Sequence, residues 1–256
     1  MNKVLSKIIL IILLFTTINT NAQIKTIEFI SSDSLTITAD LYKVNENKST
    51  PFIILLHQAG WSRGEYIETA PKLNKLGFNC MAVDQRSGNE VNDVKNHTFT
   101  LAESKKLGVN YLDAYSDLLS AIDFVKENYA DGKLIIMGSS YSAALVLHIA
   151  GQRDDIDGVM AFSPGEYFER FGKPANWIEK SAKNINVPVF ITSAREEEIK
   201  WRQIYNSIKS ENKQKFIPET EGNHGSRALW SKYDDSEDYW NAVTKFLKNF
   251  KLIAGK

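Results

Sequence analysis

Residues 133–150 restrict the fold of this chain more than any other stretch. An uninterrupted apolar run at 134–137 meets a turn of small residues, and an apolar segment of helical length follows at once. A short continuous apolar run is typical of a strand buried on both faces of a sheet. The stretch therefore predicts a strand, a tight turn and a helix at the centre of an α/β domain.

The turn at 138–142 reads Gly-Ser-Ser-Tyr-Ser, close to the pattern Gly-x-Ser-x-Gly. In such a turn the central residue is strained and its side chain projects outward, while the residues two before and two after it must be small. Ser140 meets this condition with Gly138 and Ser142, whereas Ser139 would have two larger neighbours. We predict that Ser140 is a nucleophile, with Ser142 in the usual place of a glycine. The alternative is an ordinary serine-rich turn that caps a helix.

Strands and helices alternate from residue 52 onward. Apolar runs predict strands at 52–56, 78–83, 134–137, 156–162, 187–192 and 213–217, after a hairpin of 24–30 and 35–41. Apolar spacing predicts helices at 65–76, 109–129, 140–150, 199–208 and 236–250. The fold class is therefore α/β: a mostly parallel eight-stranded sheet with an antiparallel N-terminal hairpin and helices on both faces. Function is expected at the carboxyl ends of the strands. The polar stretch 84–106 is long enough to be functional or mobile.

Composition limits the class of protein. The chain has 256 residues, of which 43% are hydrophobic, and its formal net charge is zero. These values fit one domain with a sizeable core and give no electrostatic reason to expect nucleic acid as a partner. The single cysteine, Cys80, excludes an internal disulfide and lies in an apolar run, where a buried small side chain is expected.

The N-terminus resembles a secretory signal. Lys3 and Lys7 precede the apolar run 8–15, and Ala22 ends a segment that resembles a cleavage site. We expect a signal peptide at 1–22, a mature domain at 23–256, and export to the periplasm or the outside of the cell. A retained membrane anchor is the alternative, but the run is too short to span a bilayer comfortably, so no stable membrane insertion is expected after removal of the signal.

A serine hydroxyl needs an adjacent base, and the base needs an acid to orient it. The chain has four histidines. The chain order serine, acid, histidine selects His224, in a loop of small residues after the last strand. His57 ends a strand, His97 lies in the polar stretch and His148 lies within a helix.

The acid is expected after strand 187–192, where three glutamates follow each other. Counting three residues from Ala194, a small residue near the strand end, gives Glu197. Glu196 and Glu198 remain open, and so does the interpretation of this run as the solvated start of a helix.

An oxyanion formed during acyl transfer needs two N–H donors. The backbone N–H of Tyr141 is one candidate, at the beginning of a helix. The other is expected in the loop after strand 52–56, where we assign Ala59, with Gln58 as the alternative. The side chain of His57 is expected to hold that loop by hydrogen bonds.

Aromatic side chains near the strand ends are candidates for the substrate-binding rim, above all Trp61, Tyr141 and Phe168. Packing in the core is the alternative for each of them. The segment 163–184 is too short for a full lid, so only a minimal cap is expected. The wider set of candidates is Trp61, Phe99, Tyr141, Phe168, Phe171 and Trp177.

Together these residues resemble the α/β-hydrolase superfamily over the whole mature chain. The matching positions are His57, Ser140, Glu197 and His224 at strand ends, and the run Asp-Gln-Arg-Ser-Gly at 84–88 is similar to that superfamily's Asp-x-Arg-Gly-x-Gly turn. The size is similar to its dienelactone-hydrolase-like and small carboxylesterase branches. The resemblance implies hydrolysis of a small-molecule carboxylic ester without a metal or organic cofactor. Dienelactone hydrolases proper use a cysteine nucleophile, so their lactone substrate is not implied.

Two other classes of function remain open. A non-catalytic binding protein could keep the fold, since fold alone does not imply activity. An acyltransferase or peptidase would use the same three side chains on a different acceptor or leaving group. A metal hydrolase is disfavoured because no two histidines have the spacing of metal ligands on a helix.

Overall fold

The computed structural model describes residues 23–250, so the predicted signal peptide lies outside the described residues. Within this part the chain forms ten strands and seven α-helices. The strands are β1 (Gln23–Ile30), β2 (Thr36–Lys43), β3 (Phe52–Leu56), β4 (Asn79–Val83), β5 (Glu90–Val91), β6 (Val94–Lys95), β7 (Leu134–Ser139), β8 (Gly158–Phe162), β9 (Val189–Thr192) and β10 (Lys213–Phe216). The helices are α1 (Thr69–Lys75), α2 (His97–Ser104), α3 (Tyr115–Asn128), α4 (Tyr141–Ala150), α5 (Trp177–Ala182), α6 (Glu198–Ser207) and α7 (Ser236–Leu247).

Eight of the strands form one sheet in the order β1-β2-β4-β3-β7-β8-β9-β10. The hairpin β1–β2 is antiparallel, β2 pairs with β4 in the antiparallel sense, and the pairings from β4 to β10 are parallel. This confirms the predicted sheet. Leu56 of β3 pairs with Gly138 of β7, which pairs with Ala161 of β8. The loops after these three strands therefore leave the sheet at one edge.

The sheet separates two apolar layers. Every residue of β3, β4, β7, β8 and β9 is buried, because helices cover both faces. Ile53 and Leu55 belong to the layer that contains α1 and α7, whereas Ile54 and Leu56 belong to the layer that contains α3 and α4. Cys80 is fully buried in β4, as predicted, and burial raises the pKa of its thiol.

Four helices differ from the predictions: α1 and α3 have other bounds, and α2 and α5 were not predicted. A 3-10 helix at Arg63–Tyr66 precedes α1, and Pro71 lies in the first turn of α1, where a missing N–H breaks no helical bond. The helix α3 begins six residues later than predicted. The polar stretch 84–106 contains the β5–β6 hairpin and α2, neither of which was predicted. Among residues 23–250, the helices are too short or too polar to span a membrane.

Candidate active site

The turn between β7 and α4 has the predicted strained geometry. Ser140 has φ 59° and ψ −119°, an unusual conformation for a residue with a side chain. Its backbone N–H donates to the carbonyl oxygen of Phe162 at 2.7 Å, which fixes the corner against β8. A Cβ atom on Gly138 would lie 2.4 Å from the carbonyl oxygen of Ser142, so this close approach requires glycine at position 138.

Ser142 takes the place where the motif usually has glycine, and its hydroxyl has a structural function. It donates to the carbonyl oxygen of His57 at 2.6 Å and accepts from Nε2 of Gln85 at 2.6 Å. The extra hydroxyl therefore connects the first turn of α4 to the loop after β3.

Three predicted side chains meet above this turn. Nε2 of His224 lies 2.9 Å from Oγ of Ser140, and Nδ1 of His224 lies 2.6 Å from Oε1 of Glu197. Because an ionised carboxylate only accepts hydrogen bonds, Nδ1 carries the proton and Nε2 is free to accept from the serine hydroxyl. Burial raises the pKa of Glu197, but hydrogen bonds from His224 and Ser163 outweigh burial and leave this pKa below its ordinary value. The carboxylate is thus kept ionised.

The three consecutive glutamates have different environments. Glu197 contacts His224, whereas Glu196 is exposed to solvent. Glu198 pairs instead with Arg202 and with Lys215. Of the three candidates for the acid, the structure brings only Glu197 to the histidine.

Two residues at this site were missed in the sequence. The hydroxyl of Ser163 donates to Oε2 of Glu197 at 2.7 Å and accepts from the backbone N–H of Gly225 at 2.8 Å. The hydroxyl of Tyr167 donates to the carbonyl oxygen of Ser163 at 2.7 Å. Both residues follow β8, at the edge of the sheet where the parallel strands end. Their place directly after a predicted strand could have identified them from the sequence.

The two predicted oxyanion donors are available. Within residues 23–250, neither the N–H of Ala59 nor that of Tyr141 donates a backbone hydrogen bond to another residue. The N–H of Gln58, the alternative donor, is occupied by Oε2 of Glu65 at 2.8 Å. Nδ1 of His57 donates to the carbonyl oxygen of Gln58 at 2.8 Å, and in a trans peptide the N–H of Ala59 points away from that carbonyl. His57 therefore holds the loop, as predicted.

The predicted rim needs correction. Phe168 is fully buried against Trp177, and the ring of Tyr141 is fully buried against Tyr111, so both rings belong to the core and have no surface for a substrate. Aromatic side chains near a strand end can point inward as well as outward, and the sequence does not distinguish the two. Trp61 is partly exposed and stacks on Trp230, with ring centroids 5.2 Å apart.

A cleft of about 540 Å³ lies beside these three side chains, on the side of Glu197. Glu197 and His224 line it, together with Lys200 and Arg227. A larger cleft of about 970 Å³ lies between β10 and α7 and does not include Ser140. In the described part of the chain, no cluster of histidine, cysteine, aspartate or glutamate has the arrangement of a metal site.

Comparison with known proteins gives a family match over part of the chain. The profile of the serine aminopeptidase family of hydrolases matches residues 47–170, a little less than half of the chain. A comparison with curated protein sequences gives no match.

Solved structures share the fold. An esterase from Pyrococcus furiosus is 19% identical, with a TM-score of 0.67 over 90% of this chain and 93% of its own. A dienelactone hydrolase from Anabaena variabilis is 12% identical, with a TM-score of 0.69 over 90% of this chain and 99% of its own. An esterase domain from Rhodothermus marinus is 13% identical, with a TM-score of 0.62 over 89% of this chain and 99% of its own. The chain has the α/β-hydrolase fold, and the predicted resemblance to dienelactone hydrolases and esterases is confirmed at the level of the fold.

Proposed function

We propose that this protein is a serine hydrolase that cleaves carboxylic esters through an acyl-enzyme. The observation that carries the proposal is the position of His224, which bridges the hydroxyl of Ser140 and the carboxylate of Glu197. This arrangement has the order and geometry of a nucleophile, a base and an orienting acid. The similarity of fold to esterases supports the choice of substrate class.

The reaction follows from the hydrogen bonds of the site. His224 removes the proton of Ser140 as Oγ attacks the ester carbonyl, and Glu197 holds the tautomer and stabilises the imidazolium. The N–H groups of Ala59 and Tyr141 donate hydrogen bonds to the carbonyl oxygen and stabilise the negative charge that develops on it. His224 then protonates the leaving alcohol. Water repeats the sequence on the acyl-enzyme and releases the acid.

The test is hydrolysis of p-nitrophenyl esters of increasing acyl length by the wild type and by Ser140→Ala. Loss of the nucleophile should lower turnover by about a thousandfold or more and abolish covalent labelling by a fluorophosphonate. Ser104→Ala, which removes a hydroxyl on the exposed side of α2, is the control and should keep full activity. Full activity of Ser140→Ala would refute the nucleophile, and a wild type without labelling would favour a binding protein.

Amide hydrolysis is the second candidate, favoured by the match to the serine aminopeptidase family. The same three side chains would act, with an amine as the leaving group. Rates on aminoacyl p-nitroanilides and on p-nitrophenyl esters of matched acyl groups separate the two activities. Product analysis with a competing alcohol detects acyl transfer.

We also propose that the protein is exported after removal of residues 1–22. The basic residues Lys3 and Lys7, the apolar run 8–15 and the small residue Ala22 support export. N-terminal sequencing of the protein from the periplasm or the medium tests this. A cell-associated chain that begins at Met1 would contradict it.

A further inference from the structure

Glu65 is a buried carboxyl group that the reaction scheme above does not use. It lies in the 3-10 helix that follows β3, and it is fully buried. Oε2 accepts from the backbone N–H of Gln58 at 2.8 Å, and Oε1 accepts from the hydroxyl of Ser226 at 2.5 Å. No cation pairs with it within residues 23–250.

The partners of Glu65 belong to two of the segments that build the site. Gln58 is the residue before the oxyanion donor Ala59, and Ser226 follows His224 by two residues. Ser226 also donates its backbone N–H to the hydroxyl of Ser139, the residue before the nucleophile, at 2.9 Å. One carboxyl group thus joins the oxyanion segment to the histidine segment directly and reaches the nucleophile's segment through Ser226.

We propose that Glu65 is a positioning residue that couples the oxyanion loop, residues 57–60, to the histidine loop, residues 224–226. This rests on the proposed function of the site. Glu65 touches no substrate; it acts through the backbone N–H of Gln58 and the side-chain hydroxyl of Ser226, which position Ala59 and His224.

The coupling follows from the hydrogen-bond directions. The peptide before Gln58 is held by Glu65 through the N–H of Gln58, and the peptide after it is held by His57 through the carbonyl oxygen of Gln58. The N–H of Ala59 is therefore fixed by bonds on two adjacent peptides. The second oxygen of Glu65 fixes Ser226, so a displacement of either loop changes the geometry of the other.

A carboxylate suits this position better than an amide. The N–H of Gln58 is a fixed donor, and the hydroxyl of Ser226 also donates to Glu65, so an acceptor-only side chain satisfies both. Burial raises the pKa of Glu65, and the hydrogen bonds from Ser226 and Gln58 oppose that shift. A glutamine keeps one acceptor oxygen for Gln58 and places its NH₂ group against the hydroxyl of Ser226, which can rotate to accept.

The test compares Glu65→Ala and Glu65→Gln with Glu68→Ala. Glu68 joins the same two regions at the surface, where it accepts from the backbone N–H and the hydroxyl of Ser231 at 3.0 and 2.7 Å, away from the reacting groups. For Glu65→Ala we expect kcat on a p-nitrophenyl ester to fall about a hundredfold with KM changed less than about threefold. A trifluoromethyl ketone, which forms an oxyanion with the enzyme, should lose affinity by a similar factor. Glu65→Gln should lose about fivefold in kcat, and Glu68→Ala should match the wild type.

A second measurement is independent of turnover. Amide hydrogen exchange should increase together in residues 57–60 and 224–229 of Glu65→Ala, less in Glu65→Gln, and not in Glu68→Ala. If the wild type cleaves no ester, the proposed function is wrong. Amide hydrogen exchange in the two loops then still tests whether Glu65 couples them. If Glu65→Ala does not fold, the kinetic and the hydrogen-exchange measurements are both made on Glu65→Gln. The proposal is overturned if the Glu65 variants keep the kcat and the ketone affinity of the wild type. It is also overturned if amide hydrogen exchange increases in only one of the two loops.

Discussion

His57 is fixed in the loop after β3 by three hydrogen bonds of its ring. Its Nδ1 donates to the carbonyl oxygen of Gln58, and its Nε2 accepts from the backbone N–H of Gln85 at 3.0 Å and from the side-chain amide of Asn96 at 3.1 Å. The two bonds at Nε2 require a neutral ring, since a proton on Nε2 would face two donors, and the bond at Nδ1 places the one proton there. The ring is fully buried, and burial lowers its pKa to about 4.

We therefore expect His57 to remain neutral, with its proton on Nδ1, from pH 8 down to about pH 5. The unfolded chain takes up this proton near pH 6.5 and the folded chain near pH 4. The contribution of His57 to stability is therefore complete above pH 6.5 and decreases as the pH falls towards 4. Nitrogen chemical shifts of the ring, followed by NMR during a pH titration, measure this. A midpoint near 6.5 in the folded protein would contradict the assignment.

Ser142→Ala tests the hydroxyl that replaces the usual glycine. The substitution leaves the carbonyl oxygen of His57 without one donor and Nε2 of Gln85 without one acceptor in a buried region. We expect the free energy of unfolding to fall by about 1–3 kcal/mol. Urea denaturation measures the loss, and Ser104→Ala, which removes an exposed hydroxyl, should change stability by less than about 0.5 kcal/mol. Equal stability of the two variants would show that the buried hydroxyl is not needed.

A functional residue can be predicted from the sequence when the features that identify it are its neighbours in the chain or its order along the chain. Ser140 was predicted because its neighbours must be small, and His224 because of its place in the chain order. The choice among Glu196, Glu197 and Glu198 could not be made with certainty, because it depends on the short 3-10 helix at Arg195–Glu197, which aims one carboxylate at the histidine. Glu65 could not be found at all, since its partner Ser226 lies 161 residues further along the chain.

At the scale of the elements, the β7–α4 turn depends on Gly138. In Gly138→Ala the new Cβ would meet the backbone of Ser142 at 2.4 Å and of Ala143 at 2.6 Å, so the helix must move away from the strand. We expect activity to fall by at least about a hundredfold, because a displaced Ser140 loses its alignment with His224.

Gly77→Ala is the matched control for the Gly138 substitution. Gly77 ends α1 with φ +94°, and a Cβ there meets no atom within 4 Å. The added methyl costs only backbone strain of about 1 kcal/mol, and activity should be unchanged. Kinetics and thermal unfolding of both variants check this pair. Similar activity in both would show that the close approach at Gly138 is not required.

Buried strands were predicted more accurately than helices. The strands β3, β4, β7, β8 and β9 are buried on both faces, so their apolar runs coincide with their bounds to within two residues. The helix α2 was missed because polar contacts at its beginning stabilise it, and only two of its residues are buried. The side chain of Asn96 accepts from the backbone N–H of Phe99, and Asp84 accepts from that of His97. Such caps depend on tertiary position as much as on sequence.

At the scale of the whole molecule, two groups of ion pairs hold the polar stretch that begins at Asp84. Arg63 pairs with Asp84 and with Asp40 of β2 at 2.7 and 3.0 Å. Arg86 pairs with the fully buried Asp117 of α3 at 2.6 Å. The run Asp-Gln-Arg-Ser-Gly at 84–88 therefore has a structural explanation, since its charged side chains connect the edge of the sheet to α3.

The segment between β8 and β9 is fixed to the body of the protein. Ile178 and Ala182 of α5 are fully buried in the layer that contains α4 and α6. The carboxylate of Glu166 accepts from the backbone N–H groups of Ile178 and Glu179 at 3.0 and 2.8 Å, at the beginning of α5. Moving this segment as a lid would expose apolar side chains and break these bonds. The predicted minimal cap agrees with this packing.

A fixed cap predicts an enzyme without interfacial activation. Since no closed lid has to open at a lipid surface, the rate on tributyrin should saturate smoothly as its concentration passes the solubility limit, and short soluble esters should be cleaved as well as emulsified ones. A pH-stat assay across that limit measures the rate, with Ser140→Ala as the blank. A second variant, Glu166→Gln, weakens the bonds at the beginning of α5. If core packing holds the cap, the rate curve of this variant should have the same shape as that of the wild type. An abrupt increase in the wild-type rate above the solubility limit would show that the segment moves, and that the buried contacts of α5 do not hold it in place during turnover.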